Sequence, residues 1–436
     1  MTRSDRSPHG GESPSGVARI AVDLLGGDGA PAVVVDGALR ACSADPDLHL
    51  VLVGPREAAG EVIGALAVSD RGRVSVITVD SAIGMAESPL RNIRRETTVR
   101  AAAEAVYTGR ADAMVSAGSS GAAVAASAHV LGRLRGVRRP GLAAQLPTPN
   151  GTVLLVDVGV TLDATMLELV QHAVLGTAFA AVALGIERPR VGLLSIGSEP
   201  GKGDRLRRAV SIALSDIPLP AGGRYVGLVE GFDVPRGGPA DVVVTDGFTG
   251  NVLLKGIEGA LTGRPSDRSE MSGIGNGASR PLRDAAAASG ETRPDAAADP
   301  AQRDATADRS RWDVARQDAA ADPEPRDQAS RHETTANDGA RRDEAAATGP
   351  ARRDGGTATA RVRRHEAAAV LLGVAGDVVV CHGSAGGAEV ADGIALAARL
   401  HRDRITPAVA ALADDLLTEL SSAGGLTIRD ALGERS

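Results

Sequence analysis

The sequence predicts an α/β protein with a mostly parallel sheet, helices on both faces, and a long disordered insertion that interrupts the domain. Nine short runs rich in Val, Leu and Ile barely alternate with polar residues, as is typical of strands buried on both faces. Helical stretches lie between many of these runs, and such alternation is typical of a parallel sheet. The predicted strands are 19–25, 49–54, 73–79, 111–118, 152–159, 190–197, 224–231, 241–247 and 377–383.

Four helices are predicted between these strands, at 31–41, 97–108, 121–131 and 162–184. The last one contains most of the longest apolar stretch, which carries Gln171. Because this stretch is marginal in length for a membrane span, we expect a buried core helix. The first sixteen residues are polar and lack the apolar segment of a signal peptide, so a cytoplasmic location is expected.

The predicted insertion is a segment of Arg, Asp, Ala, Pro and Ser with almost no Val, Leu or Ile. It repeats itself, since residues 293–300 return almost unchanged at 316–323. A segment with mixed charge and few apolar side chains cannot offset its ordering entropy, so disorder is predicted. The predicted segments are a disordered tail (1–17), the first part of the α/β domain (18–261), the insertion (262–362) and the C-terminal part of the domain (363–436).

Composition excludes several classes of function. The net charge of −7 and the pI near 5.7 are unlike the basic footprint of a general nucleic-acid binder. Cys42 and Cys381 form no disulfide framework and no zinc spacing, and no H-E-x-x-H motif occurs. We therefore expect no metal site, and Cys381 is expected to be a buried strand residue.

Six polar or Gly-rich loops follow the predicted strands. In a parallel sheet such loops gather at the carboxyl ends of the strands, where free amides of the next helix favour an anion. The pattern favours a phosphate-type ligand, and the alternative is a set of ordinary tight turns. Walker A, G-x-G-x-x-G and G-x-S-x-G motifs are absent. The loops are 26–29, 116–121, 157–161, 195–204, 245–251 and 381–387.

Lys202 and Lys255 are the only lysines in a chain that otherwise uses arginine. Both are predicted to lie in Gly-flanked loops. A lysine retained in such a chain indicates a need for a compact ammonium group, and surface lysines without a role are the alternative. His382 lies at the end of the last predicted strand, before Gly383, and we expect it to face the loops.

Taken together, these motifs resemble those of the phosphate acyltransferase family of phospholipid synthesis. The resemblance covers nearly all of 19–260 and 366–400 in collinear order, and includes IAVDLLGGDGAP, DAMVSAGSSGA, RVGLLSIGSEPGKGD and DVVVTDGFTGNVLLK. It implies transfer of a fatty acyl group from acyl carrier protein to inorganic phosphate, with no cofactor. It also implies a fold of the isocitrate/isopropylmalate dehydrogenase or phosphotransacetylase type, a homodimer, and weak peripheral membrane contact.

In this reaction phosphate attacks the thioester carbonyl directly, so the protein needs no nucleophile. It must hold an anion, orient it and stabilise a developing oxyanion. Lys202, Lys255, Asn251 and His382 are the expected catalytic residues. Asp23 and Asp28 are expected to orient a lysine or the loops. The other expected phosphate or substrate residues are Gly26, Gly27, Ser116, Gly118, Ser119, Ser120, Gly121, Asp157, Thr161, Gly201, Asp246, Thr249, Gly250, Gly383 and Ser384.

The chain departs from the family pattern at several positions. Leu25 replaces Met, SAGSSG replaces Ser-Ala-Gly-Asn-Thr-Gly, Thr161 replaces Asn, and Ala385 replaces Ser. The insertion stands where the family usually has an apolar helical hairpin implicated in dimer and membrane contacts. Two alternatives therefore stay open. One is a phosphate acyltransferase that uses coenzyme A, and the other is a non-catalytic paralogue that binds acyl carrier protein or phosphate.

Overall fold

The computed structural model describes residues 16–84, 87, 94–262 and 368–422. The tail before residue 16, the predicted insertion beyond residue 262, and residues 363–367 lie outside the described residues. Eleven strands form one sheet in the described part. They are β1 (Ala18–Asp23), β2 (Leu48–Gly54), β3 (Val74–Thr78), β4 (Ala113–Ser116), β5 (Gly141–Thr148), β6 (Gly151–Val156), β7 (Arg190–Ser195), β8 (Arg224–Glu230), β9 (Val242–Val244), β10 (Ala368–Leu372) and β11 (Asp377–Cys381).

The helices pack on both faces of this sheet, as predicted. The four predicted helices are confirmed, with ends displaced by up to four residues. They are the first, third, fourth and fifth helices along the chain. The described helices are α1 (Ala32–Ala44), α2 (Arg56–Ala65), α3 (Thr98–Tyr107), α4 (Ser120–Val130), α5 (Met166–Leu184), α6 (Arg205–Asp216), α7 (Gly247–Thr262), α8 (Gly387–Arg402) and α9 (Ile405–Ser422).

Each face of the sheet has its own hydrophobic core, because successive strand residues point to opposite faces. In β1, Ile20 and Val22 belong to the core beneath α1, α2, α5, α6, α8 and α9. Ala21, between them, belongs to the second core, beneath α3, α4 and α7. Among the described helices, α5 alone is long and apolar enough to span a membrane, but 78% of its apolar window is buried inside the protein. The prediction of a core helix is therefore confirmed.

Two antiparallel strands in the middle of the sheet were not predicted. The strand order is β3-β2-β1-β4-β11-β10-β5-β6-β9-β7-β8, and β10 pairs antiparallel with both β11 and β5. β5 also pairs antiparallel with β6. Seven of the ten strand pairs are parallel, so the prediction of a mostly parallel sheet is confirmed.

These antiparallel pairs overturn the expectation that all six loops gather at one end of the strands. The block β3-β2-β1-β4-β11 and the block β6-β9-β7-β8 are each parallel, but they run in opposite directions. The loops after β1, β4 and β11 form the first loop cluster. The loops after β6, β7 and β9 form the second loop cluster, at the opposite end of the strands.

A buried carboxyl group at the start of β11 couples the stability of the fold to pH. Asp377 is buried, and Thr406 donates a hydrogen bond to it. Burial, and then the charge of Asp112, raise the pKa of Asp377 from 3.8 to about 6, although the Thr406 hydrogen bond opposes the shift. Because the folded-state pKa is the higher one, this stabilisation is complete below about pH 4 and is lost as the pH rises through about 6.

We expect the Asp377→Asn variant to lose this pH dependence. The unfolding free energy of the wild type, minus that of the variant, is expected to fall by up to about 3 kcal/mol between about pH 4 and pH 7. Chemical denaturation at several pH values measures it. Parallel pH profiles for the two proteins would contradict the assignment.

Candidate functional site

In the first loop cluster, Asp23 holds the loops after β1 and β4 together. The Ser116 hydroxyl donates to Asp23 Oδ2 at 2.7 Å, and the Gly118 amide donates to the Ser116 hydroxyl at 3.1 Å. The Leu25 amide donates to Asp23 Oδ1 at 3.3 Å. Burial raises the pKa of Asp23, while its hydrogen bonds act in the opposite direction. Asp23 therefore orients loops, which is one of the two roles expected for it.

The loop after β11 joins the same cluster through backbone contacts. The Asp28 amide donates to the Gly383 carbonyl at 2.7 Å, while the Asp28 residue is exposed. Gly26 has no room for a side chain, since a Cβ there would lie 2.8 Å from the Gly118 nitrogen. Gly27 has a φ of 108°, which favours glycine. Ser384 lies exposed in the same loop. The three loops thus meet as the sequence predicts.

Helix α4 begins within this cluster. Ser119 is its N-cap but makes no side-chain capping hydrogen bond, and Ser120 is its first residue. Gly121 follows and is exposed. The positive end of the α4 dipole therefore points at the first loop cluster, where it favours a negatively charged ligand.

In the second loop cluster, Asp157 organises the loop after β6. Its carboxylate is fully buried and accepts hydrogen bonds from four backbone amides, those of Leu142, Gly159, Val160 and Thr161, at 2.6 to 3.2 Å. Both of its oxygens are thus occupied by the chain itself.

Asp246 plays a similar part at the start of α7. Thr249 donates to it through its amide at 2.9 Å and through its hydroxyl at 2.8 Å. The Arg207 guanidinium also donates to Asp246. Burial opposes ionisation, but these hydrogen bonds and the Arg207 charge hold the pKa of Asp246 below its ordinary value. Arg207 was not predicted as a site residue, although it lies only three residues after the GKGD motif.

Three buried hydroxyl groups lie in or beside the second loop cluster. Thr161 Oγ1, Ser195 Oγ and Thr245 Oγ1 have no hydrogen-bond partner among the residues that the structure describes. Buried hydroxyls normally find a partner in protein or water. The second loop cluster therefore has unused polar atoms that water or a ligand can satisfy.

Helix α7 corrects the prediction that Lys255 and Asn251 lie in loops. The helix begins at Gly247, so both residues are helical. The glycines of GFTGN and LLKG suggested turns, but Gly250 is needed for close packing: a Cβ there would overlap the carbonyl oxygen of Asp157. Tertiary contact has overridden local propensity at these positions.

Lys202, in contrast, lies in a loop as predicted. It is exposed in the turn between β7 and α6, beside the exposed Gly201, whose φ is 87°. Lys202 and Lys255 therefore lie on different elements.

A cavity of about 220 Å³ lies on the face of the sheet that carries α4 and α7. Its floor is apolar and consists of side chains from β5, β10 and β11, together with Leu254 of α7. Its polar lining comes from the first loop cluster and from α7. The polar lining residues are Gly118, Ser120, Asn251, Lys255, Glu258, His382 and Gly383. Six of these seven were predicted as catalytic residues or as residues of the first-cluster loops, and Lys202 is not among the described residues that line the cavity.

His382 and Glu258 form a pair in this cavity. His382 is the first residue after β11, close to the predicted strand end, and its Nε2 lies 2.7 Å from Glu258 Oε1. Cys381, the preceding residue, is a buried strand residue, also as predicted. Glu258 was not predicted as a site residue. Its spacing from Asn251 and Lys255, seven and three residues, would have placed it on their face of a helix.

The solved structures to which the chain is similar are distant. A phosphotransacetylase from Staphylococcus aureus is 17% identical, with a TM-score of 0.40 over 57% of this chain and 84% of that chain. A branched-chain phosphotransacylase from Enterococcus faecalis is 18% identical, with a TM-score of 0.36 over 55% of this chain and 84% of that chain.

Comparison of sequences gives a closer relationship. The model of a family described as "Fatty acid synthesis protein" matches residues 18–263. A phosphate acyltransferase of Bacillus cereus is 44% identical over 244 residues, which are 55% of this chain and 71% of the relative. One from Bacillus mycoides is 42% identical over the same lengths. The chain therefore belongs to the phosphate acyltransferase family.

Proposed function

We propose that this acyltransferase moves a fatty acyl group from the thioester of acyl carrier protein to inorganic phosphate, giving acyl phosphate. The observation that carries the proposal is one cavity in which Lys255 and the first residues of α4 lie above an apolar floor. Such a cavity offers both a place for an anion and a place for an acyl chain.

Phosphate is proposed to bind between the Lys255 ammonium group and the N-terminus of α4. Both carry positive charge, and the Ser120 hydroxyl can donate a hydrogen bond there. The hydrogen bond between His382 and Glu258 Oε1 lowers the repulsion between this carboxylate and the anion.

The acyl chain is proposed to lie on the apolar floor formed by Leu142, Ala144 and Leu146 of β5, with Leu254 of α7 above them. Burial of each methylene contributes about 0.8 kcal/mol. Holding the thioester carbonyl beside phosphate in this way turns a bimolecular reaction into one within a complex.

The test is incubation of the protein with acyl carrier protein thioester and labelled phosphate, followed by detection of acyl phosphate. A parallel reaction uses the coenzyme A thioester of the same acyl group. Turnover with the carrier supports the proposal, and turnover with coenzyme A alone would favour the coenzyme A enzyme. Binding of phosphate or carrier without turnover of either thioester would favour the non-catalytic paralogue.

Replacement of Lys255 is expected to slow the reaction. We expect Lys255→Ala to lower kcat/KM at least tenfold, or by about 1.4 kcal/mol of barrier, and Lys202→Ala to have a smaller effect, because Lys202 does not line the cavity. Lys255→Arg should not restore full activity, because a planar guanidinium does not replace a compact ammonium group. Steady-state kinetics with varied phosphate measures the effect. Unchanged kinetics in Lys255→Ala would contradict the proposed role of this lysine.

Acyl carrier protein is acidic, so we propose that it docks on a basic surface. The arginine loop (Arg133, Arg135, Arg138 and Arg139) is held in place by α5. Gln171, fully buried, accepts from the Arg138 amide at 3.0 Å and donates to the Gly136 carbonyl at 2.7 Å. This loop presents four arginines within seven residues.

Ion pairs occur in both candidate basic clusters. In the arginine loop, Arg135 lies 3.9 Å from Asp414 and Arg139 lies 3.1 Å from Glu168. In the other cluster, Arg95 lies 3.3 Å from Glu87 and Arg100 lies 2.8 Å from Glu104, while Arg91 lies outside the described residues. Among the described residues, Arg133 and Arg138 of the arginine loop form no ion pair, whereas the other cluster has one such arginine, Arg94. This difference favours the arginine loop as the docking surface.

Charge reversal in the arginine loop is expected to weaken docking. We expect Arg133→Glu with Arg138→Glu to raise the KM for the carrier at least fivefold and to flatten its salt dependence, because opposite charges steer association. The matched control is Arg95→Glu with Arg100→Glu, for which a smaller change is expected. Equal effects of the two pairs would contradict the choice of surface.

A homodimer also remains a proposal, as do a weak membrane contact and a cytoplasmic location. Ile196, Phe232, Phe248 and Val252 are large apolar residues that are more than half exposed, and three of them line one surface depression beside α7. A second copy of the chain would cover such a patch. Analytical ultracentrifugation of the wild-type protein tests this, and a monomer at micromolar concentration would contradict it.

A further inference from the structure

Glu258 calls for a physical explanation, because it places a carboxylate in a cavity proposed to hold phosphate. It lies on α7, three residues after Lys255, and the side chains of Glu258 and His382 are 28% and 27% exposed. A carboxylate facing a phosphate costs binding energy unless it is paired. Glu258 Oε1 is paired with His382 Nε2 at 2.7 Å.

We propose that Glu258 is a positioning residue, which fixes the imidazole of His382 so that Nδ1 can carry the proton of the reaction. This proposal rests on the proposed function. When Nε2–H donates to Glu258, the neutral ring has its lone pair on Nδ1. A carboxylate partner fixes the histidine tautomer in the same way in other catalytic pairs. Glu258 also stabilises the imidazolium that forms for a moment when Nδ1 accepts a proton.

The proton balance of the reaction requires such a carrier. Hydrogen phosphate attacks the thioester carbonyl through one oxygen, and a C–O bond forms. The proton of its hydroxyl passes to His382 Nδ1. The C–S bond then breaks, and the same proton passes from Nδ1 to the departing sulfur. The products are acyl phosphate and a free thiol, and no other reactant is consumed.

The proposal predicts that Glu258 acts only through His382. We expect Glu258→Ala to lower kcat at least tenfold with an alkyl thioester and to change the KM for phosphate less than twofold. In a His382→Ala protein the same change is expected to have less than a twofold effect, because the group that Glu258 positions is gone. An additional tenfold loss in the His382→Ala protein would overturn the proposal.

The leaving group gives a second readout, which a merely structural role would not move. An aryl thiolate departs without a proton, so the transfer from Nδ1 to sulfur is no longer needed and only the acceptance of the phosphate proton remains for His382. The effect of Glu258→Ala is therefore expected to be smaller with an aryl thioester of the same acyl group. The matched control is Glu104→Ala, which removes an ion-pair carboxylate from α3 and should be neutral with both thioesters. Equal losses with alkyl and aryl thioesters would overturn the proposal.

A third readout does not depend on turnover. Nitrogen NMR is performed on the full chain with ¹⁵N-labelled histidine, and the His382 signal is identified by its loss in His382→Ala. We expect this signal to show the Nε2–H tautomer. Glu258→Ala should change that signal. An Nδ1–H tautomer, or no change in the variant, would overturn the positioning role. Absence of turnover in the wild type would contradict the proposed function, and the tautomer would then decide the role of Glu258.

Discussion

Gly250→Ala is expected to destabilise the protein by about 3 kcal/mol, the upper end of the usual cost of overpacking. A Cβ at position 250 would overlap the carbonyl oxygen of Asp157. That carbonyl cannot move away freely, because the Asp157 carboxylate is held by four backbone amides. Relief of the overlap would therefore displace either α7 or the whole loop after β6. Urea denaturation measures the change in unfolding free energy.

The same helix offers a matched control. Gly256 is exposed on α7, and a Cβ there would meet nothing within 4 Å. Because alanine is the better helix former, Gly256→Ala should stabilise the protein by up to about 1 kcal/mol. Opposite signs for the two substitutions are the expected result. A neutral Gly250→Ala would show that the contact between α7 and Asp157 is loose in solution.

His382→Ala is expected to lower kcat about a hundredfold with an alkyl thioester, the usual lower range for loss of general acid–base catalysis. The imidazole lies in the cavity beside Lys255 and Ser120, at the end of a strand whose position is fixed by β4 and β10. Its removal takes away a hydrogen-bond donor and a proton carrier, but little buried apolar area. Thermal unfolding should consequently be almost unchanged.

The control for this prediction is His129→Ala, which removes an exposed histidine from α4. Stopped assays of acyl phosphate under saturating phosphate compare the three proteins. A His382→Ala protein that folds normally and keeps full activity would contradict any role of this residue in the reaction. A large loss in His129→Ala would show that the assay reports on folding rather than on chemistry.

Much of the fold could be predicted because strands buried on both faces have an unmistakable composition. Runs such as 49–54 and 377–383 contain an unbroken series of Val and Leu, at 50–53 and 378–380 respectively. β5 was not predicted because it contains Ala, Gln and Pro, which are uncommon in strands. β10 was not predicted because it is a short apolar run that directly follows the Arg-, Asp- and Ala-rich segment.

Strand direction could not be predicted from composition, and the arrangement of the loops depends on it. Gly-rich loops after strands were correctly expected, and those after β1, β4 and β11 do meet. Their separation from the other three follows from the antiparallel strands β5 and β10, which the pattern did not reveal. Lys255 was predicted to lie in a loop because the nearby Gly250 and Gly256 suggest a turn. In the structure, Gly250 allows α7 to pack closely against Asp157, and Gly256 is an exposed residue of the same helix.

The position of β10 and β11 in the sheet has a consequence for how the chain is made. This hairpin begins at residue 368, yet it lies between β4 and β5, which are encoded before residue 149. Until the ribosome has released it, β4 and β5 present open edges with unpaired amides and carbonyls, the surfaces on which strands from other chains add. For most of its synthesis the nascent protein therefore lacks the two strands that separate β4 from β5 in the sheet. A chain that ends before residue 368 would keep the edges of β4 and β5 unpaired, and we expect it to aggregate.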